Sequence, residues 1–419
     1  MSGGRPAAVV LSTDDVERAH LFDLRQNSLQ AGVGLALSGG GFRAMLFHAG
    51  ALLRMNEFGL LSKIDRISSV SGGSIAAGIL AANWPKFGSP DAAGILPNFA
   101  QNYVATVLAF AKEKLDLSDI AIGLLPMTSA ADQAANSYDH LLFHGLTLNQ
   151  TPHRPEFVFC ATNLSTGDLF RFTKAYAGDY LLGYIKDPSI KLATAVAASA
   201  AFPPFLSPMI LDAKPEDFTD WPANPGDKPF DAAPFRDGIA LCDGGVYDNH
   251  GLEPIVKRYV TNFVSDGGAP FLRSPDVHTD WLSQLRRILD LEDNQVRALR
   301  RRDLIGRFKL GAATVVNGEI PESQQVAGAR LGAYWGVDTD PTPMTMAGGL
   351  DIDLDKINQL ASTPTRLSDP GESRARELIN WGYAIVDRSI RAHYRGSIIL
   401  AATPPHWPFP EQAGLVRPG

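Results

Sequence analysis

Apolar positions first gather at "GVGLALS" (32–38), a run that stops abruptly in glycines. Its length suits one buried strand. "RAMLFHAGALLRMNEFG" (43–59) changes the period: Leu46, Ala49, Leu52 and Leu53 share one face, which predicts a helix ended by Gly59. "IDRISSV" (64–70) is the next strand. "SIAAGILAANW" (74–84) is a second helix, small and apolar nearly all round, as buried helices are. Strand, helix, strand, helix at this spacing predicts an α/β protein with a parallel sheet covered by helices.

Downstream the pattern loosens. Residues 85–150 contain "FAQNYVATVLAFAKEKL" and read as a partly helical insertion over the core. "PEFVFCATNLSTGDLFRFT" (155–173) predicts a hairpin with Ser165, Thr166 and Gly167 at its turn. "LATAVAASAAFPPFLSPMIL" (192–211) is a small-residue helix stopped by Pro203 and Pro204, and the Pro, Asp and Gly of 213–236 predict a surface loop. "GIALCDGGVYDNHG" (238–251) and "TNFVSDGGAP" (261–270) are both strands that end in glycine turns. Beyond 275 the chain is mostly helical, and "RELINWGYAIVDRSIRAHY" (376–394) is its clearest amphipathic stretch. Residues 1–30 read as an N-terminal arm with a short helix over 14–29.

Composition narrows the picture only in places. The 419 residues are 45% hydrophobic and 20% charged, enough for an ordinary globular protein with a large core. A net charge of −7 offers no overall footprint for a nucleic acid polymer. Arg286, Arg287, Arg297, Arg300, Arg301, Arg302, Arg307 and Lys309 make 281–310 locally basic. That segment is open to two readings: a solvated helix face, or a surface that meets anionic lipid or another acidic partner. Cys160 and Cys242 both lie in apolar strand-like runs and are expected to be buried thiols. No CxxC or Cys/His cluster suggests zinc or a disulfide framework. The N-terminus lacks a signal-peptide pattern and no apolar run reaches the roughly 18–20 residues of a membrane span. A cytoplasmic location, at most peripheral at a membrane, is expected.

Three corners carry the chemistry. "SGGGFRA" (38–44) fits the dinucleotide spacing G-x-G-x-x-A after a strand and before a helix. It equally fits a loop whose backbone N–H groups and helix N-terminus receive an oxyanion. The second corner decides between them. A dinucleotide fold wants an acid at the end of the second strand, and here that strand ends in Ser68-Ser69-Val70-Ser71-Gly72-Gly73; Glu57 lies in the first helix. This corner resembles the nucleophile elbow G-x-S-x-G, with Ser69 in place of the first glycine. Ser71 has small residues at −2 and +2 and a helix just after it, so it is favoured over Ser68, Ser69 and Ser74 as nucleophile.

The hydroxyl needs a base, and the third corner, Asp243-Gly244-Gly245, offers one. His250 raises a Ser-His-Asp alternative, although seven residues is a short separation for that arrangement. Asp266, before two glycines, reads as a strand-end turn residue. His140 and His144 have helical i,i+4 spacing but no clear third metal ligand, and His48 is open to a pocket or a packing role.

In this order "SGGGFRA", "SVSGGS" and "DGG" resemble the patatin-like phospholipases. The small-residue helix "AVAASAAFPPFLSP" (195–208) and the hairpin "CATNLSTGDLFRF" (160–172) are similar to that family too. The resemblance covers residues 31–265 and implies a three-layer α/β/α sandwich with a mostly parallel sheet; the mostly helical C-terminal region (266–419) lies outside it and is expected to pack on the core. It implies a Ser–Asp dyad of Ser71 and Asp243, and an oxyanion hole built from the amides of Gly39, Gly40, Gly41 and Phe42. Arg43 would hold a lipid phosphate or brace the loop. The implied activity is hydrolysis of fatty-acyl esters of phospholipids or lysophospholipids, with peripheral membrane contact and neither cofactor nor metal. Two other readings stay open: the same hydrolase held inactive until a ligand or partner engages 85–150 or 270–400, and a non-catalytic nucleotide-binding protein using Gly39–Ala44.

Overall fold

Strand β1 (Gln30–Leu37) organises the sheet: buried from Val33 onward, it pairs in parallel with β2 (Arg66–Ser69) on one side and β10 (Tyr259–Asp266) on the other. The computed structural model describes residues 29–113, 130–221, 232–344, 348–350 and 353–413. The expected helix over 14–29, but for Leu29, and nearly all of the arm lie outside these. Next to β2 comes β3 (Glu156–Asn163), again parallel, and next to β10 comes β11 (Leu331–Gly336), also parallel. Parallel strands covered on both faces need near-continuous apolar runs, which is what "GVGLALS" supplies. Beyond β3 the sheet turns antiparallel through β4 (Leu169–Phe172), β5 (Tyr176–Asp179), β6 (Gly183–Lys186) and β8 (Phe218–Thr219).

Helices cover this mostly parallel sheet. Helix α1 (Gly41–Glu57) is buried along all but its last residue. It packs on α11 (Glu372–His393), where the backbones touch. A methyl group added at Gly50 would meet the Ile379 carbonyl oxygen at 1.9 Å, and one at Gly382 would meet the Phe47 carbonyl oxygen at 1.9 Å. Helix α2 (Gly72–Asn83) is buried nearly all round, as its composition predicts. Helices α3 (Ala105–Ala111) and α4 (Ala130–Tyr138) fall in the expected insertion. Helix α5 (Leu192–Ser199) is shorter than the 192–211 pattern, because Pro203 and Pro204 lack the N–H a helix needs. Residues past the prolines form β7 (Met209–Leu211) instead.

The C-terminal region is helical but also enters the sheet. Helix α8 (Trp281–Thr314) runs 34 residues, and the chain beyond it returns as β11 at the sheet edge. A boundary at 265/266 therefore falls at the last residue of β10, and the sheet continues across it. Asp293, Arg297, Arg300 and Leu304 share the stripe of α8 that faces the body. Its first three turns project, leaving Trp281 76% and Ile288 51% exposed. No helix among the described residues is long and apolar enough to cross a membrane.

One irregularity of the sheet places the site. Along a single edge, β3 pairs first with β2, ending at Ser69 opposite Phe159. It then pairs with β9 (Ile239–Asp243), which runs the other way and ends with Asp243 opposite Ala161. Two strand ends thus meet head to head on one strand, about 6.6 Å apart along it.

Candidate active site

Ser71 leaves the end of β2 at φ 51° and ψ −120°, a backbone conformation that costs a non-glycine residue about 1–3 kcal/mol. The surroundings hold it there. Its N–H donates to the Ser199 carbonyl (3.2 Å) and the Ser199 Oγ (3.1 Å). The next two residues must be glycine. A methyl at Gly72 would meet the Gly41 carbonyl oxygen at 2.1 Å, and one at Gly73 the Leu37 carbonyl oxygen at 2.3 Å. Ser69 fits at −2 because its buried hydroxyl donates to the Val158 carbonyl (3.3 Å) and accepts from Ser74 Oγ (3.0 Å). Ser68, Ser69 and Ser74 are all fully buried, whereas Ser71 is partly exposed.

The glycine loop wraps this corner. A methyl at Gly39 would lie 3.2 Å from Ser71 Cβ, and one at Gly72 would lie 2.7 Å from the Gly41 nitrogen. Of the four candidate amides, two are committed to protein carbonyls: Gly39 N–H donates to Asn249 (3.0 Å) and Phe42 N–H to Arg366 (3.0 Å). Among the described residues, no protein carbonyl accepts from the Gly40 or Gly41 N–H. Arg43 is 1% exposed and folds behind the loop, where Nε donates to the Gly267 carbonyl (2.9 Å) and Nη1 to the Thr363 carbonyl. Burial lowers its guanidinium to about 10, and neighbouring Arg297 adds to the fall. Of the two roles open to Arg43, this geometry fits bracing.

Asp243 closes the site from β9. Its N–H donates to Ala201 (2.9 Å), its carbonyl accepts from Thr162 Oγ1 (2.9 Å), and one carboxylate oxygen accepts the Gly245 N–H (2.7 Å). Burial pushes the carboxyl from an ordinary 3.8 up to about 6. Hydrogen bonds from the Ser71 side chain and Gly245 N–H oppose that rise, and the Asp293 charge adds to it. Serine and aspartate side chains are therefore direct neighbours. A desolvated carboxylate beside a hydroxyl can take its proton.

His250 is not part of this pair. Its Nε2 bonds Asp266 Oδ2 (2.9 Å), and the ring is 1% exposed. Asp266, expected to be a turn residue, is the hub of a buried network. Its carboxylate also accepts from Arg297 Nη2 (3.0 Å to each oxygen), Tyr334 hydroxyl (2.7 Å) and Gly268 N–H (2.9 Å). Burial alone would raise its carboxyl, but Arg297 and His250 hold it well below the usual range. His48 sits beneath the loop. Its Nε2 bonds the Ser38 carbonyl (2.9 Å) and Nδ1 the Ser265 hydroxyl (2.8 Å), so Nε2 carries the proton. Burial lowers it to about 4, which keeps it neutral.

The other sequence candidates disperse. His140 and His144 are both exposed. Cys160 and Cys242 are buried free thiols on β3 and β9. The basic run of α8 is largely tied down, with Arg297 on Asp266, Arg300 on Asp248, Arg301 on Asp338 and Arg307 on Asp303. Two positioning groups have no sequence motif. Ser199 also accepts the Gly244 N–H on its carbonyl (3.2 Å), so it ties the Ser71 and Asp243 corners together. Its only signal is a hydroxyl among alanines just before the prolines. Asn249 spans the glycine loop and α8, and nothing in "DGGVYDNHG" sets it apart.

The mostly parallel sheet flanked by helices is a fold shared with a solved cytosolic phospholipase A2. The solved structure of human GIVD cytosolic phospholipase A2 matches it with a TM-score of 0.51 at 15% identity, covering 90% of this chain and 63% of that one. The chain belongs to the patatin-like phospholipase family, whose model matches residues 35–256, just over half of its length. A 42-residue stretch is 48% identical to the putative meiotic phospholipase SPO1 of Saccharomyces cerevisiae, covering 10% of this chain and 7% of that protein. The chain thus spans less than two thirds of the length of either relative.

Proposed function

We propose that the protein is a serine hydrolase of fatty-acyl esters in phospholipids or lysophospholipids, with Ser71 as nucleophile and Asp243 as base. The observation that carries this reading is the pairing of a strained, partly exposed serine with a buried carboxylate whose proton affinity is raised to about 6. Asp243 takes the Ser71 proton as Oγ attacks the ester carbonyl. The Gly40 and Gly41 amides receive the oxyanion, a contribution of roughly 3–4 kcal/mol per donor in comparable sites. The alkoxide leaves with the proton held by Asp243. Water then enters, Asp243 deprotonates it, and attack on the acyl-enzyme releases the fatty acid and restores Ser71.

Exposed apolar side chains near the site support a lipid surface as the source of substrate. Phe202 and Val246, 46% and 54% exposed, sit one residue from Ala201 and Gly245, the backbone partners of Asp243. The first turns of α8 expose further apolar side chains, Leu282 and Leu285. Location in the cytoplasm, peripheral to a membrane, accords with this picture.

The test is labelling by a fluorophosphonate together with hydrolysis of a soluble acyl ester. Wild type labels at Ser71. Ser71→Ala does not label, and Asp243→Asn loses at least about a thousandfold in turnover. His250→Ala, compared per folded molecule, still labels. A folded His250→Ala that neither labels nor turns over would replace the dyad with a triad, and unlabelled wild type would remove the hydrolase reading.

A further inference from the structure

Outside residues 35–256, helix α8 reaches the corners of the site through Asn249. Asp293, on the body-facing stripe of α8, accepts a hydrogen bond from Asn249 Nδ2 (3.1 Å). Asn249 is wedged between two of the three corners. Its carbonyl accepts the Gly39 N–H (3.0 Å). Its Oδ1 lies 2.3 Å from where a methyl on Gly39 would sit and 3.0 Å from where one on Gly245 would sit. The same Gly39 position is 3.2 Å from Ser71 Cβ. The carboxamide thus fills the space that separates the glycine loop from the Asp243 turn, and among the described residues its side-chain hydrogen-bond partner is Asp293. α8 is in turn fixed to the body by Arg297, which holds Asp266 and the Ala269 carbonyl (2.6 Å).

We propose that Asp293 is a positioning residue of the hydrolase site, acting through the Asn249 carboxamide to set the glycine loop against Ser71 and Asp243. The proposal rests on the Ser71–Asp243 reading. Two roles of the side chain separate cleanly. As an acceptor it orients Asn249, and an asparagine at 293 retains an acceptor oxygen. As a charge it opposes ionisation of Asp243, and an asparagine removes that. The groups facing Asp293 are Arg297 on its own helix, Asp266 at the end of β10, and His250. Those facing Asp243 are the Ser71 hydroxyl, the Gly245 N–H and Tyr138 on α4. None of these changes in either variant.

The experiment compares wild type, Asp293→Ala and Asp293→Asn. It measures kcat, KM and pH profile on a soluble acyl ester, the rate of fluorophosphonate labelling, and the folded fraction by thermal unfolding. The side chain of Asp293 is 35% exposed, so both variants are expected to fold. Asp293→Ala loses about tenfold or more in kcat and in labelling rate at unchanged KM, because a slightly misplaced site slows the chemical step. Asp293→Asn keeps kcat within about twofold at its plateau, and its acid limb moves down by about half a pH unit. Wild-type kcat in the alanine variant overturns the proposal, as does a loss matched by its unfolded fraction, or an asparagine variant no better than alanine. Unlabelled wild-type Ser71 instead overturns the underlying reading.

Discussion

Asp243 carries a cost that the rest of the fold must offset. Its carboxyl titrates near 3.8 in an unfolded chain and at about 6 when folded. Below 3.8 both states are protonated and the group is neutral in its effect. As pH rises through that window the unfolded chain releases its proton first, so stability falls, by up to about 3 kcal/mol above pH 6. Asp243→Asn, which cannot ionise, is therefore expected to be more stable than wild type at pH 8 and equal to it at pH 3. Urea unfolding at the two pH values checks this. If Asp243 is the base, as proposed, kcat/KM on a soluble ester falls on the acid side with a midpoint near 6, where an unperturbed aspartate would give about 4. At this scale the sequence was informative where chemistry and spacing coincide, as at Ser71 and Asp243. It was silent where a common residue acts through its backbone. Asn249 and Ser199 each accept loop N–H groups on their carbonyls, and every residue has a carbonyl.

Among the elements, α8 shows how charge patterning can mislead. Its arginines look like a basic surface, yet Arg297 is 8% exposed and buried against Asp266. Removing one member of a buried pair strands the other, at a cost of about 3–5 kcal/mol. Arg297→Leu is thus expected to lower the unfolding free energy by about 3 kcal/mol, and Asp266→Asn in the same chain to recover part of it; denaturant titration of the single and double variants decides. The strong strand–helix alternation of 32–84 was legible because each element there spans a full run of its own period. Strands β5, β6, β7 and β8 are two to four residues long, too short for an alternation to show. Strand β11 was missed for another reason: "LGAYWG" sits among helices, and only its pairing with β10 makes it a strand.

For the molecule as a whole, the α/β class followed from the first fifty residues of core, but the shape of its exposed face did not. Leu272, Val277, Trp281, Leu282, Leu285 and Ile288 are each at least 45% exposed and fall within one short stretch. Adsorption to zwitterionic phospholipid vesicles is expected, and replacing Trp281, Leu285 and Ile288 with serine should weaken it by at least about tenfold. Co-sedimentation measures the binding, with hydrolysis of a soluble ester unchanged as the control. A protein that ignores vesicles in both forms would leave this face without a lipid role.

The head-to-head meeting of β2 and β9 on β3 also orders events in time. Ser71 lies in the first strand–helix unit, whose contacts are local, and that unit can form early. Asp243 belongs to a strand that cannot dock until β3 is in place and the long stretch between them has been made. During synthesis from the N-terminus Ser71 therefore emerges well before both Ser199, which holds its backbone, and Asp243. On the proposed Ser71–Asp243 reading, a nascent chain lacks its base until β9 takes the remaining half of the edge that β2 shares.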